Sequence, residues 1–328
     1  MDCKPHGKRI ASPYVCPRWL KGGHVQTLWP LLQPRAKLAW RRERIATPDG
    51  DFWDFDWLLA PAKDGAPLVV LFHGLEGGSR SHYAGLLMAA VAQRGFGGVV
   101  PHFRGCSGEL NLKPRAYHMG DYEEVAAMLA AVRARVPDTT PLYAVGVSLG
   151  GSALLHWLGR NGKEASNTLA AAAAVSTPVD LEKSGRIFGK GLNRLYELNF
   201  MRTLKPKALA MARRHPGKLH LQHIAAARTL DDFDNALTAP LHGFEDVADY
   251  RRRASSRPWL GSIETPTLLL NALNDPLVPA EALPNERETS PCVFLEYPAE
   301  GGHAGFPSTG ASAWVAQRVL GFFEQTGL

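Results

Sequence analysis

Six short apolar runs constrain this chain more than any other feature. They are LVVLF (68–72), GGVVPHF (97–103), LYAVGV (142–147), LAAAAV with Val175 (169–175), PTLLLNAL (266–273) and CVFLEYP (292–298). Each is the length of a buried strand, and none is long enough for a helix that packs on a core. Helical patterns separate them near 81–94, 121–135 and 149–160, and a last helix is expected near 311–325. In the second of these, Tyr122, Val125, Leu129 and Val132 fall on one face. Strands that alternate with helices predict a mostly parallel central sheet with helices on both faces, an α/β fold. Upstream, WRRERIAT and DFWDFDWLLA flank Pro48-Asp49-Gly50. Trp53, Phe55, Trp57 and Leu59 alternate with Asp54 and Asp56, which predicts a β-hairpin. A length of 328 residues with 45% hydrophobic composition suits one large domain with an ample core.

The alternation fails between residues 179 and 258, which hold helical fragments such as GKGLNRLYELNFM and PKALAMARRH but no strand pattern. An all-helical segment between two sheet strands is expected to lie over one edge of the sheet as a cap. From Asp180 to Arg257 it carries 15 Lys and Arg against 9 Asp and Glu, an excess equal to the formal net charge of +6 for the whole chain. A basic surface of this kind can meet an anionic partner. No nucleic-acid motif accompanies it, so no nucleic-acid partner is expected; a solvated basic face is the plainer reading, and weak contact of the basic cap with a membrane surface is the alternative.

Other functional classes drop away. No run of 18 apolar residues exists, so no membrane-spanning helix is expected. The stretch MDCKPHGKRIASPYVCPRWL lacks an apolar signal region, and Cys3, Cys16, Cys106 and Cys292 form no CxxC pair. Neither a disulfide framework nor a zinc site follows, and a reducing cytoplasm is the expected setting. His215, His220 and His223 cluster without an acidic or cysteine partner at ligand spacing, so neither a metal nor another cofactor is expected. A monomer or small homo-oligomer is the expected state.

Gly146-Val147-Ser148-Leu149-Gly150 reads G-x-S-x-G, preceded by the strand pattern LYAVGV and followed by the helix pattern LGGSALLHWL. That context is what a nucleophile elbow requires, because the serine sits on a tight strand-to-helix turn and only glycines fit beside it. The plainer reading is a glycine-rich turn that packs a helix on the sheet. A serine nucleophile needs a base, and the base an orienting acid. Asp275, in NALNDPLVP, and His303, in AEGGHAGF, follow the last two strands in the order this arrangement uses. Asn274 cannot replace Asp275, since it carries no charge. In LFHGLEGGSRSHY the Leu75 N–H is placed to stabilise an oxyanion, and Leu149 N–H, directly after the serine, is the second donor. His24 in GGHVQTLWP could approach the site, though tying a loop to the core is the plainer reading, and Arg104 in FRGCSGE is read as bracing the loop after its strand. No second base is placed for Cys106, which argues against a thiol nucleophile.

These stretches, with YHMGDYEEV (117–125), FDNALTAPLHGFEDVADY (233–250), SIETPTLLLNALNDPLVP (262–279) and GGHAGF (301–306), resemble the YheT-like branch (AB hydrolase 4 family) of the α/β-hydrolase superfamily. The resemblance runs from near residue 19 to residue 306. It implies an α/β-hydrolase fold and serine hydrolase chemistry with Ser148, Asp275 and His303 as the triad. Some relatives act on acyl esters or phospholipids, so a small-molecule or lipid ester is the implied substrate. The sequence departs from the branch at DYRRRASS (249–256), where a second tyrosine is expected in place of Arg251.

The expected reaction is attack of Ser148 on an ester carbonyl, with an acyl-serine that water resolves. Acyl transfer to another alcohol, thioester cleavage and a non-catalytic binding role are the alternatives. Leu192, Leu195, Phe200 and Met201 of the cap are candidates to line an acyl pocket, with Lys and Arg facing outward.

Overall fold

The computed structural model describes residues 6–60, 62–63, 65–308 and 313–326. Nine strands form one sheet in the order β1-β9-β8-β7-β6-β4-β5-β3-β2. They are β1 Lys8–Ile10, β2 Trp40–Ala46, β3 Phe52–Leu58, β4 Leu68–Phe72, β5 Gly97–Pro101, β6 Leu142–Val147, β7 Ala171–Val175, β8 Thr267–Leu270 and β9 Val293–Glu296. All neighbours are parallel except β2 with β3 and β3 with β5. The expected hairpin is therefore present, and its register sets Arg42 opposite Asp56 and Arg44 opposite Asp54. Both pairs close as ion pairs, which is how two aspartates stay buried on a strand that is apolar on its other face.

The eleven α-helices among the described residues are α1 Gly23–Leu28, α2 His82–Arg94, α3 Tyr122–Arg133, α4 Leu149–Thr168, α5 Leu181–Gly185, α6 Asn193–Arg214, α7 Leu221–Ala226, α8 Leu230–Phe233, α9 Ala239–His242, α10 Val247–Ala254 and α11 Trp314–Thr326. Residues 311 and 312 of the expected last helix, and Cys3, lie outside the described residues. Side chains leave a strand on alternate faces. Leu68, Val70 and Phe72 of β4 accordingly join one buried cluster with Met128 of α3 and Leu154 of α4. Val69 and Leu71 join another with Met88 of α2 and Phe323 of α11. This two-faced core is the physical content of the alternating sequence pattern.

Strand β1 has only three residues and pairs with β9 at the sheet edge, too short for any periodicity to reveal. Between β7 and β8 the chain forms α5 to α10 without a strand. This insertion has its own small core, in which Met201, Leu204, Ala208 and Met211 of α6 pack on Phe233 and Leu237. Met201 thus faces the insertion's interior and not a substrate pocket. The buried positions follow one helical stripe, and Leu192, Leu195 and Tyr196 lie off it.

Candidate active site

Ser148 ends β6 and precedes α4 with φ 53° and ψ −119°, a left-handed backbone that a non-glycine residue occupies only when its surroundings enforce it. The enforcement is steric. A Cβ on Gly146 would sit 2.5 Å from Gly151 Cα, and one on Gly150 would sit 2.3 Å from Phe72 O. The turn closes only because both positions lack side chains.

The structure brings Ser148, Asp275 and His303 together. His303 Nε2 lies 3.0 Å from Ser148 Oγ, and His303 Nδ1 lies 2.9 Å from Asp275 Oδ2. A carboxylate can only accept, so Nδ1 carries the proton and Nε2 is left to accept from the serine hydroxyl. Asp275 is buried, and its Oδ1 also accepts from the backbone N–H groups of Leu277 and Val278. These bonds fix the carboxylate before the imidazole arrives.

The histidine loop is braced from the N-terminal helix α1. Thr27 Oγ1 accepts the His303 N–H at 2.8 Å, and Gln26 Oε1 accepts the Gly301 N–H at 2.8 Å. Asn274 joins the same network: its Oδ1 accepts from Gly302 N, and its Nδ2 donates to Gln26 Oε1. Ser176 Oγ accepts from Ala304 N on the other side. Sequence reading did not find Gln26, Thr27, Asn274 or Ser176 as supports; the quoted motif GGHVQTLWP held two of them without a visible partner.

The loop after β4 passes directly over the serine, since a Cβ on Gly74 would lie 3.2 Å from Ser148 Cβ. His73 secures it. Its Nε2 accepts from Phe103 N–H at 3.1 Å, which leaves Nδ1–H to donate to Gly74 O at 2.8 Å. Both bonds need the neutral ring, and complete burial keeps it neutral by pushing its pKa down to about 3. Tyr83 Oη accepts the Gly74 N–H. Leu75 follows in this loop and borders the same cleft as Ser148, while Leu149 opens α4, where a helix leaves its first N–H groups unpaired.

Two cavities meet at Ser148 and His303. An open cleft of about 610 Å³ is bordered by His24, Leu28, Leu31, Leu192, Leu195 and Phe200. A narrow cavity of about 70 Å³ runs under the insertion past Phe188, Phe200, Leu230 and Leu277 to Tyr250 and Arg251. Leu195 and Phe200 thus border the cleft, as does Leu192. Arg251 fills space beside Gly185 and pairs with Asp231. His24 departs from expectation: its Nδ1 lies 3.1 Å from Tyr196 Oη, so it ties α1 to the insertion and not to the core. Arg104 is buried and held by Glu124, Asp49 and Asp51, a brace for its loop. Burial raises the Cys106 thiol to about 12, which keeps it protonated and unreactive.

Comparison with known proteins agrees with this fold. The model of the alpha/beta hydrolase fold matches residues 67–308. The chain is 36% identical over 300 residues to the putative esterase YheT of Escherichia coli K12, covering 90% of this chain and 87% of that one. It is 30% identical over 311 residues to human phospholipase ABHD3, covering 92% of this chain and 75% of that one. An esterase from Pyrococcus furiosus shares the fold with a TM-score of 0.56 at 16% identity, covering 89% of this chain and 94% of that one. A mostly parallel sheet with these relatives along nine-tenths of its sequence places the chain in the α/β-hydrolase superfamily, in its YheT-like branch.

Proposed function

We propose that this α/β-hydrolase cleaves carboxylic esters through an acyl-serine intermediate, with Ser148, His303 and Asp275 as its triad. The observation that carries the reading is the unbroken line from Ser148 Oγ to His303 Nε2 at 3.0 Å and from His303 Nδ1 to Asp275 Oδ2 at 2.9 Å. A relative named a putative esterase supports an ester substrate, and one named a phospholipase supports a lipid one.

Ser148 Oγ attacks the carbonyl carbon as its proton passes to His303 Nε2. Asp275 holds the ring in the tautomer that can accept and stabilises the imidazolium that forms. Charge develops on the carbonyl oxygen, which the N–H groups of Leu75 and Leu149 receive. The imidazolium then protonates the leaving alkoxide. Water, deprotonated by His303, releases the acid and restores the serine. Residues 179–258 act as a cap whose Leu195 and Phe200 contact the substrate, and the narrow cavity beside Ser148 supports a short- to medium-chain acyl group.

A fluorophosphonate that labels serine hydrolases is the direct test. It should modify the wild-type protein at Ser148 and leave folded Ser148→Ala protein unlabelled. Ester turnover should fall by about a million-fold in Ser148→Ala and His303→Ala if the triad acts as a unit. Labelling that persists in Ser148→Ala would refute the assignment.

A further inference from the structure

The mouth of the open cleft has two lips, both apolar and both flanked by cations. One lip is α1 and the turn after it, where Leu28 and Leu31 border the cleft; the other is the start of α6, with Leu192 and Leu195. These four leucines are between 47% and 64% exposed, although each touches a cavity that reaches Ser148. Outside the cleft, Leu32 is 75% exposed and Leu198, one turn beyond Leu195, is 51% exposed. Leucines scattered singly over a surface need no explanation, but leucines gathered at one opening do.

Charge at the lips has one sign. Between Arg18 and Lys37 the chain carries four basic residues and no acidic one. Between Ile187 and Tyr196 it carries Lys190 and Arg194 and no acidic one, and both are exposed. Arg35, Arg42, Arg44 and Arg80 border the basin next to the cleft, together with Leu31, and its acidic residues are paired: Asp54 and Glu109 with Arg44, and Glu76 with Lys207. A short apolar band ringed by Lys and Arg matches the anionic face of a bilayer, where leucines enter the acyl boundary and cations meet the lipid charge.

We infer that the rim of the cleft, formed by α1 with its following turn and by the start of α6, is a docking surface for an anionic lipid bilayer. Docked this way, the opening that leads to Ser148 faces the lipid. The inference relies on the proposed hydrolase activity for what happens after docking, and on the rim alone for the docking. It differs from attraction by the insertion's basic surface as a whole, because half of the rim belongs to the N-terminal segment.

The test uses Ser148→Ala protein, which cannot consume lipid, sedimented with phosphatidylcholine vesicles with or without phosphatidylglycerol. The protein should bind the anionic vesicles and not the zwitterionic ones. Binding should fall as salt rises from about 0.1 M to about 1 M, where the screening length shrinks from about 10 Å to about 3 Å. Lys190→Glu with Arg194→Glu should weaken it about tenfold or more, and Leu32→Asp with Leu198→Asp should do the same. In the Ser148 background these variants should cleave a soluble ester at the parental rate, which shows that they are folded. Failure to sediment with anionic vesicles overturns the inference, as does binding that all four substitutions leave unchanged. Self-association that the rim variants abolish also overturns it, in favour of a protein contact. Vesicle binding by a protein that cleaves no ester would uphold the docking and refute the proposed function instead.

Discussion

Lys207 Nζ, on the inserted helix α6, lies 2.9 Å from Glu76 Oε2, one residue past the proposed oxyanion donor Leu75. Glu76 has a left-handed backbone with φ 55°, and Tyr117 Oη accepts its N–H at 2.8 Å. Sequence reasoning placed the lysines of the insertion outward; this one points in, because the loop below supplies its counter-charge. Lys207→Met should release Glu76 and let the Leu75 N–H drift from the oxyanion. The expected result is a fall of about tenfold in kcat with little change in KM, since a misplaced donor is felt mainly in the transition state. Lys207→Arg should recover most of the loss. An equal rise in KM at constant kcat would instead make the lysine a substrate contact.

Thr27 and Gln26 hold the backbone of the histidine loop. Thr27→Ala should lower kcat by about ten- to a hundredfold, because a shift of about 1 Å in the base is enough for such a loss. Gln26→Leu leaves the buried Gly301 N–H unpaired, which should cost about 1–3 kcal/mol of stability as well. Urea unfolding and single-turnover labelling of Ser148 separate the two effects: Thr27→Ala should slow labelling much more than it lowers stability.

The elbow tolerates no side chain beside the serine. Gly146→Val and Gly150→Val would each drive a methyl-bearing carbon into main chain less than 3 Å away. Each should destabilise the protein by about 3 kcal/mol or more, seen as a lowered urea midpoint or as insoluble expression. Wild-type stability in both would mean that the turn does not close as described.

Stability should fall in acid. Burial lowers the pKa of His73 to about 3 and of His156 to about 4, and holds His118 well below its ordinary value. In the unfolded chain each takes up a proton near pH 6.5. The unfolded state therefore binds more protons below that pH, and the stability present above it is lost as the pH falls from about 6.5 toward about 4. Each such ring contributes up to about 1.4 kcal/mol per pH unit, and His242, lowered to about 4 by burial, adds to them, while the buried carboxyls of Asp234, raised to about 6, and of Asp121, also raised, oppose them and reduce the net slope. Urea midpoints between pH 7.5 and pH 4.5 measure it, and a flat profile there would count against the neutral, buried rings.

The α/β architecture was legible because strand β4 through strand β9 are apolar on both faces, and so appear as continuous runs between amphipathic helices. Ser148, Asp275 and His303 could be chosen because each follows its own strand in a fixed order. Their supports could not. The bond from Thr27 to His303 joins residues 276 apart, and the bond from Gln26 to Gly301 joins residues 275 apart, so neither leaves a local pattern. The orientation of α6 was only half legible. Apolar residues occupy more than one of its faces, and the partner below decides that Met201 turns inward while Leu195 borders the cleft.

The brace between α1 and the histidine loop also has a consequence for biosynthesis. Thr27 leaves the ribosome long before its partner exists, and at about 5–20 residues per second the 276-residue gap takes about 15–55 s to fill. Most of the sheet can assemble in that interval with the nucleophile turn already formed. His303 arrives only after the last strand and must find α1, made much earlier. On the proposed mechanism a nascent chain with an assembled sheet is therefore still inert toward ester, and activity begins only as Thr27 and His303 meet.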